Sequence, residues 1–145
     1  MAVNYNEPIT FGSQGAAKSL SSSGIDFSES GLQSWTIAPV AEIDLAFPFS
    51  RNDITMELEA IPFIVPETVP VQKAFIFAAG SFVGFLSITG HTTCTFSITR
   101  SMLSGRTVRL SIVIPTAVSP SSIYMSDDQR ELGLRLASIA FRTGA

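Results

Sequence analysis

The sequence has very few of the residues on which catalytic and metal sites usually depend. It contains one histidine, His91, and one cysteine, Cys94, among 145 residues. A single cysteine allows no internal disulfide and no multi-cysteine metal site. A catalytic triad would have to use His91, which follows Gly90 without any nucleophile motif, and no phosphate-binding or dinucleotide-binding motif is present. These absences predict a non-catalytic protein without a metal or cofactor, in which Cys94 is a small buried residue.

Charged residues are also scarce, at 14% of the chain against a usual share of about 25%. Nine basic and twelve acidic residues give a net charge of −3, and the basic residues are scattered along the chain. This balance offers no attraction to a phosphate backbone and disfavours nucleic-acid partners. Hydrophobic residues make up 46% and the mean hydropathy is +0.35, so we expect part of the apolar surface to cover a partner.

Long hydrophobic runs are missing too. No stretch approaches the roughly 18 apolar residues that a membrane helix needs, and the start, MAVNYNEPITFG, lacks the basic and apolar regions of a targeting signal. We therefore expect a cytoplasmic protein without a membrane span. The length suits a single domain with one core, over residues 1–145.

What the sequence does contain is a repeated alternation of apolar and polar residues. The segments AEIDLAF and DITMELEA each place apolar side chains on one face and polar ones on the other, which is typical of half-buried strands. Further strands are predicted in QKAFIFAAG, SFVGFLSITG, HTTCTFSITR and TVRLSIVIP. The only helical element expected is one turn that Ser101 would cap and Gly105 would end.

Eight or nine short strands without alternating helices predict an all-β fold, a two-sheet antiparallel β-sandwich that is jelly-roll-like. A closed barrel is the alternative. Residues 43–47 and 54–59 are expected to form a hairpin, and the three strands within 72–100 to belong to one sheet. The proline-rich segment IPFIVPETVPV is expected to be a surface connection or a sheet edge.

The end of the chain predicts an irregular strand. The three leucines of ELGLRL share one parity, whereas Ile139 and Phe141 have the opposite one. One extra residue near Ala137 and Ser138 would bring all five apolar side chains to the same face. We therefore predict a β-bulge at this point.

Trp35, the single tryptophan, is the candidate ligand-binding residue. An exposed indole can stack against the C–H face of a sugar ring, whereas a buried one would close an end of the core. Glu57 and Glu59 share a strand face at a separation of about 7 Å, which a glycoside hydrolase could use. That face is the polar side of an amphipathic strand, however, and solvation is its ordinary role.

The densest polar cluster is SPSSIYMSDDQR, directly before the last strand. Asp128 and Arg130 lie close enough in sequence for a local ion pair, which would form a rigid corner that sets the register of the strand. The alternative is a calcium site built on Asp127 and Asp128, although the spacing lacks the acidic density of a dedicated loop.

Two parts of the sequence resemble a β-sandwich accessory module of bacterial surface-polysaccharide and oligosaccharide synthesis proteins. One is Ser119-Pro120 followed by D-x-R-x-L-G-L, which spans Asp128 to Leu134, and the other is ITFGSQGAAKSLSSSGIDFSESGLQSWT. Such modules often accompany glycosyltransferase domains and are similar to carbohydrate-binding modules. The resemblance implies a β-sandwich whose structural corner contains Asp128, Arg130 and Gly133.

Two functions follow from these observations. The first is a non-catalytic module that binds a glycan or positions a glycosyltransferase or other polysaccharide-synthesising partner. The second is a structural domain that associates with another protein or with itself to form a homo-oligomer. A small hydrolase that uses acidic residues is a weaker third hypothesis.

Overall fold

The computed structural model describes residues 2–144, and alternating apolar residues form eleven strands among them. In chain order the strands are β1 (Ile9–Thr10), β2 (Ser22–Ser23), β3 (Ile25–Asp26), β4 (Ser34–Thr36), β5 (Val40–Ala46), β6 (Ile54–Pro62), β7 (Gln72–Ala78), β8 (Ser81–Ile88), β9 (Thr92–Ile98), β10 (Thr107–Val113) and β11 (Leu134–Thr143). One helical turn, α1 (Arg100–Leu103), and two 3-10 turns at Ala16–Ser19 and Pro120–Ile123 complete the regular structure.

The strands form two antiparallel sheets. The five-stranded sheet has the order β2-β5-β10-β7-β8, and the six-stranded sheet has the order β3-β4-β11-β6-β9, with β1 also pairing with β11. The inward side chains of both sheets meet in a single apolar core. From β4 onward every connection changes sheet except the one between β7 and β8. This arrangement confirms the prediction of a jelly-roll-like β-sandwich, and the alternative of a closed barrel is wrong.

The predicted hairpin of residues 43–47 and 54–59 is wrong. β5 pairs with β10 and β2, whereas β6 pairs with β11 and β9 in the opposite sheet. The reason lies in the connection, because Phe47 is buried and stacks edge-on against Phe141 of the six-stranded sheet, with ring centroids 4.8 Å apart. The chain therefore crosses the core edge at Phe47 instead of turning back within one sheet.

The expectation that β7, β8 and β9 share a sheet is also wrong. β7 and β8 form a hairpin within one sheet, but β9 pairs with β6. The crossing is possible because Gly84 has no side chain, and any Cβ at that position would overlap the ring of Phe96. The two sheets thus approach closely at this edge of the sandwich.

The predicted bulge in the last strand is confirmed. Leu136 opposes Ala60 and Ser138 opposes Glu59, so Ala137 is an extra residue without a partner on β6. Its carbonyl accepts a hydrogen bond of 3.0 Å from the N–H of Phe11. Because of the bulge, the apolar residues on both sides of it face the core, as their near-zero exposure shows: Leu134, Leu136, Ile139 and Phe141.

The proline-rich segment is a connection, as predicted, although Pro62 still ends β6. The N–H of Phe63 donates to the carbonyl of Gly133 on the β11 side. Since successive backbone N–H groups of a strand point in opposite directions, the nitrogen of Pro62 faces the β9 side, where pairing has already ended at Ala60. Pro62 therefore costs no ladder hydrogen bond.

The helical turn differs from the prediction in its start. α1 begins at Arg100, so Ser101 lies inside it and does not cap it. The carboxylate of Asp53 accepts from the N–H of Arg100 at 2.9 Å and satisfies one free donor of the turn. Gly105 follows with a φ of 67°, which confirms its predicted left-handed conformation.

Candidate functional site

Trp35 lies on the outer face of the six-stranded sheet. Its neighbours Ser34 and Thr36 on β4 are buried, so the indole points away from the core and is half-buried. The guanidinium of Arg135 lies 5.5 Å from the centre of the indole, and Phe63 meets it edge-on at 5.9 Å. Trp35 therefore does not close the core, and Arg135 already covers part of its ring. Its role in ligand binding stays a prediction.

The corner before β11 contains the ion pair expected from the sequence. Arg130 Nη2 donates to Asp128 Oδ2 at 2.7 Å, and its Nε donates to the same carboxylate. Two further carboxylates, which the sequence did not connect to Arg130, complete the cluster: Asp26 at 3.1 Å and Glu29 at 2.9 Å. Asp127, the neighbouring carboxylate, is exposed.

Hydrogen bonds lower the pKa of both aspartates in this corner. For Asp26 the main cause is the bond from the Ser28 hydroxyl, with Arg130 adding to it. For Asp128 the main cause is the Arg130 side chain. Both carboxylates are therefore ionised at neutral pH, and each contacts the guanidinium of Arg130.

Gly133 provides the space for this corner to join the core. A Cβ at Gly133 would lie 2.8 Å from Ile114 Cγ2 and 3.2 Å from Thr36 Oγ1. The hydroxyl of Thr36 in turn accepts from the N–H of Leu134 at 3.0 Å. A larger residue at 133 would push these groups apart.

A groove of about 480 Å³ lies beside the bulge in β11, and we call it the bulge groove. It lies between two loops and the outer face of the six-stranded sheet. Its lining comprises Pro8, Thr10, Phe11, Gln14, Gly15, Gly31, Leu32, Gln33, Glu59, Ala137 and Ser138.

Backbone contacts between the two loops shape the bulge groove. Gly12 has a φ of 90°, and a Cβ there would overlap the carbonyl of Gly31, so the loops can approach only because residue 12 is glycine. The N–H of Gly12 also donates to Ser34 Oγ at 2.9 Å. The two loops therefore form one connected wall, opposite the floor formed by Ala137 and Ser138.

Polar groups converge on the floor of the bulge groove. The carboxylate of Glu59 is oriented by two contacts, since Ser138 Oγ donates to it at 3.3 Å and His91 Nε2 lies 2.7 Å from its other oxygen. Gln14 and Gln33 line the same groove. Carboxylates and amides are the groups that recognise adjacent hydroxyls of a ligand, because amides can both donate and accept.

Apolar surface completes the bulge groove. Leu32 stands at its rim with 81% of its surface exposed, and Pro8 and Ala137 contribute further carbon atoms. A concave site with apolar walls and a few directed polar groups is typical of small-molecule binding.

The sequence did not reveal this groove. In the sequence, Glu59 stands out only as a possible partner of Glu57, and no pattern distinguishes Gln14 or Gln33. The available signal was the placement of each glutamine close to glycine, in FGSQG and SGLQS, but nothing in the sequence shows that these loops meet.

The hydrolase hypothesis receives no support from the geometry of the two glutamates. Glu57 and Glu59 do share the outer face of β6, but each has its own basic neighbour. Arg142 Nε donates to Glu57 at 2.8 Å, whereas Glu59 faces His91. Glu57 does not line the bulge groove, so the two carboxylates do not flank a common cavity.

A second hollow of about 140 Å³ lies on the outer face of the five-stranded sheet, lined by Ser21, Ser22, Ser23, Glu42, Asp44 and Arg109. Its charges already pair, because Arg109 Nε donates to Asp44 at 2.9 Å and this bond lowers the pKa of Asp44. It is smaller than the bulge groove and lacks apolar walls.

Residues 2–144 contain no helix that is long and apolar enough to cross a membrane. No group of three or more His, Cys, Asp and Glu side chains there is placed to hold a metal ion. Cys94 faces inward on β9 and is half-buried, and burial raises the pKa of its thiol.

Several solved carbohydrate-binding modules share this fold. The C-terminal family 6 module of a marine laminarinase from Zobellia galactanivorans has a TM-score of 0.54 at 15% identity, covering 94% of this chain and 98% of that one. A family 6 module from Clostridium stercorarium, solved with cellobiose, has a TM-score of 0.55 at 12% identity, covering 99% and 98%. A β-1,3-glucan-binding family 6 module from Bacillus halodurans has a TM-score of 0.52 at 14% identity, covering 99% and 100%.

No protein-family model matches the chain, and no curated protein matches it. The structural likeness therefore defines the class by fold: a β-sandwich of the type found in carbohydrate-binding modules of family 6. At these low identities the likeness extends to the fold alone.

Proposed function

We propose that this protein is a non-catalytic carbohydrate-binding module that holds a glycan in the bulge groove. The observation that supports it most directly is the convergence of Glu59, Gln14 and Gln33 on one concave, partly apolar surface. The fold, shared with modules that bind cellobiose or β-1,3-glucan, supports the same class of ligand.

The chemistry of the bulge groove suits a sugar. The oriented carboxylate of Glu59 can accept hydrogen bonds from two neighbouring hydroxyls, and each glutamine amide can donate to one hydroxyl and accept from another. The side chain of Leu32 can pack against the C–H face of the ring. The groove volume of about 480 Å³ falls within the range of about 300–1,000 Å³ of small-molecule sites.

We further propose a supporting role in the synthesis of bacterial polysaccharides in the cytoplasm, beside a glycosyltransferase. The resemblance of the Asp128 to Leu134 segment and of the opening segment to accessory modules of such proteins supports this role. In that setting the module would hold a growing or acceptor glycan near the partner enzyme, and it would not change the glycan itself.

Calorimetry of the purified chain with bacterial polysaccharides and β-glucan oligosaccharides tests the proposal. Glu59→Gln should weaken binding by at least about tenfold, which corresponds to about 1.4 kcal/mol, because the neutral amide loses the acceptor geometry of the carboxylate. Glu57→Gln is the matched control, since it lies on the same strand and face but outside the groove, and it should leave the affinity unchanged.

Two results would contradict the proposal. One is full affinity in Glu59→Gln together with a loss of binding in Trp35→Ala, which would move the glycan site to the indole. The other is the absence of binding to every glycan in the screen. Release of reducing sugar from any of these glycans would show that the module is not purely a binding domain.

A further inference from the structure

The outer face of the five-stranded sheet has an aromatic surface that the bulge groove does not use. Phe75 and Phe77 of β7 lie beside Phe85 and Phe82 of β8, and we call these four residues the phenylalanine patch. Phe75, Phe85 and Phe82 are 37%, 47% and 58% exposed. A fully exposed aromatic side chain has an area of about 150–250 Å². At the exposures of these three residues, the patch leaves roughly 300 Å² of aromatic surface in contact with water.

A bulge in β8 places both of its phenylalanines on this face. Ile76 opposes Gly84 and Phe77 opposes Phe82, so Val83 is the extra residue. In a regular strand, residues three apart would point to opposite faces. The bulge therefore brings Phe82 and Phe85 together on the solvent side.

The phenylalanine patch adjoins a long strand edge. β8 is the last strand of its sheet, has eight residues and pairs only with β7 among the described strands. The edge strands β2 and β3 at the other side of the sandwich have two residues each. The neighbouring edge strand β9 presents hydroxyl side chains outward, at Thr93, Thr95 and Ser97.

Apart from the bulge at Val83, this edge lacks the features that normally prevent strand pairing. Proteins protect edges with charges, prolines, bulges or very short strands. Residues 74–90, which include all of β8 and most of β7, contain no charged residue and no proline. An apolar edge without such protection is a surface that another strand can cover.

We infer that β8 pairs with β8 of a second copy of this chain. Antiparallel pairing about a two-fold axis would join the five-stranded sheets of two molecules into one continuous sheet, an isologous contact in which one surface is its own complement. The outer faces merge, so Phe82 and Phe85 lie beside the same residues of the second copy. Backbone hydrogen bonds between the two β8 strands and burial of the aromatic rings then both stabilise the dimer.

The patch fits a second copy better than other occupants. A glycan prefers flat rings and nearby hydrogen-bonding groups, but the ring pairs are inclined at 47° and 67° and consist of phenylalanine alone. An anionic lipid surface would be repelled by the net charge of −3. The patch by itself is smaller than the about 800 Å² per partner of a stable interface, so the strand edge is a necessary part of the contact.

Sedimentation velocity of the full chain between about 1 and 100 µM tests this inference. The wild type should sediment as a dimer at the upper concentrations, and Phe85→Lys should sediment as a monomer because each copy would place a charged side chain within the apolar contact. Phe49→Lys is the matched control, since Phe49 is 72% exposed but lies outside the phenylalanine patch, and it should remain dimeric. Circular dichroism should show equal folding for all three.

Hydrogen exchange gives a second measurement that is specific to the strand edge. Amide protection of β8 should rise with protein concentration, whereas that of the edge strand β9 should not. A monomeric wild type at 100 µM, or a Phe85→Lys variant that stays dimeric, would overturn the inference. Loss of glycan affinity in Phe85→Lys with a monomeric wild type would overturn it too and assign the patch to a sugar. Glu59→Gln should stay dimeric, so this result and the glycan result are independent.

Discussion

Arg130 places a positive charge among the carboxylates of the corner that leads into β11. Its guanidinium contacts three carboxylates, those of Asp26, Glu29 and Asp128, and only 29% of the side chain is exposed. Arg130 thereby connects two segments more than a hundred residues apart, the loop after β3 and the loop before β11. We expect its contribution to be structural, because none of the four residues lines the bulge groove.

Arg130→Ala should lower the melting temperature by about 2–6 °C, because three carboxylates would then face one another without a cation. The affinity for a glycan should stay nearly unchanged. Differential scanning calorimetry measures the first effect and titration calorimetry the second. Arg109→Ala, which removes the more exposed pair with Asp44, should change the melting temperature less. A loss of ligand affinity in Arg130→Ala with unchanged stability would restore the corner as a binding site.

The stability difference between wild type and Arg130→Ala should depend on pH. In the folded state Arg130 is the main cause of the lowered pKa of Asp128 and a lesser cause of the lowered pKa of Asp26. The stabilising effect of Arg130 is therefore complete above the unfolded value of about 3.9 and is lost as the pH falls through the lower folded values. The two melting temperatures should differ most above the unfolded value and converge once the pH has fallen below the folded values. A difference that persists at low pH would mean that charge is not the cause.

Gly133→Ala should destabilise the fold by about 1–3 kcal/mol, because its Cβ would lie 2.8 Å from Ile114 in a closed part of the core. Gly90→Ala is the control, since a Cβ at Gly90 meets no atom within 4 Å. Urea unfolding of both variants measures the difference. Equal stability of the two variants would show that the core relaxes around residue 133.

At the level of elements, the alternation of side chains was readable from the sequence, but the choice of sheet partner was not. The faces of β5 and β6 follow from their period of two, yet a turn-forming segment such as PFSRND suits both a hairpin and a crossing between sheets. The burial of Phe47 against Phe141 decides the matter. A contact between residues so far apart leaves no local signal.

The bulge in β11 could be predicted because, without it, the apolar residues of the two halves of the strand would point to opposite faces of the sheet. Ala137 sits between two runs of core residues, and its presence keeps both runs on the same side. Its carbonyl also accepts the hydrogen bond from the N–H of Phe11, and Ala137 forms part of the floor of the bulge groove. One inserted residue thus serves both the core and the candidate site.

Deletion of Ala137 should abolish cooperative unfolding, because Ile139 and Phe141 would turn to the solvent face. Ala137→Gly retains the residue count and is the control. Thermal unfolding followed by circular dichroism should show a transition for the substitution and none for the deletion. A deletion variant that melts like the wild type would mean that the register of β11 is set elsewhere.

For the whole molecule, the fold class was predictable and the candidate site was not. Short alternating strands and turn residues are local properties, and they define a β-sandwich wherever they recur. The bulge groove, by contrast, is assembled from the loops of Gln14 and Gln33, the middle of β6 and the bulge of β11. Trp35, the ligand-binding residue predicted from the sequence, is partly covered by Arg135.

The position of β11 has a consequence for how the chain folds. This strand emerges last from the ribosome among the described strands, yet it lies in the middle of its sheet, between β4 and β6. Before it arrives, β3–β4 and β6–β9 are separate pairs with no common hydrogen bonds. The six-stranded sheet of the nascent chain therefore stays incomplete until residue 143 has left the ribosome. Folding should be a late, slow event, on the millisecond-to-second scale of non-local β-sheet pairing.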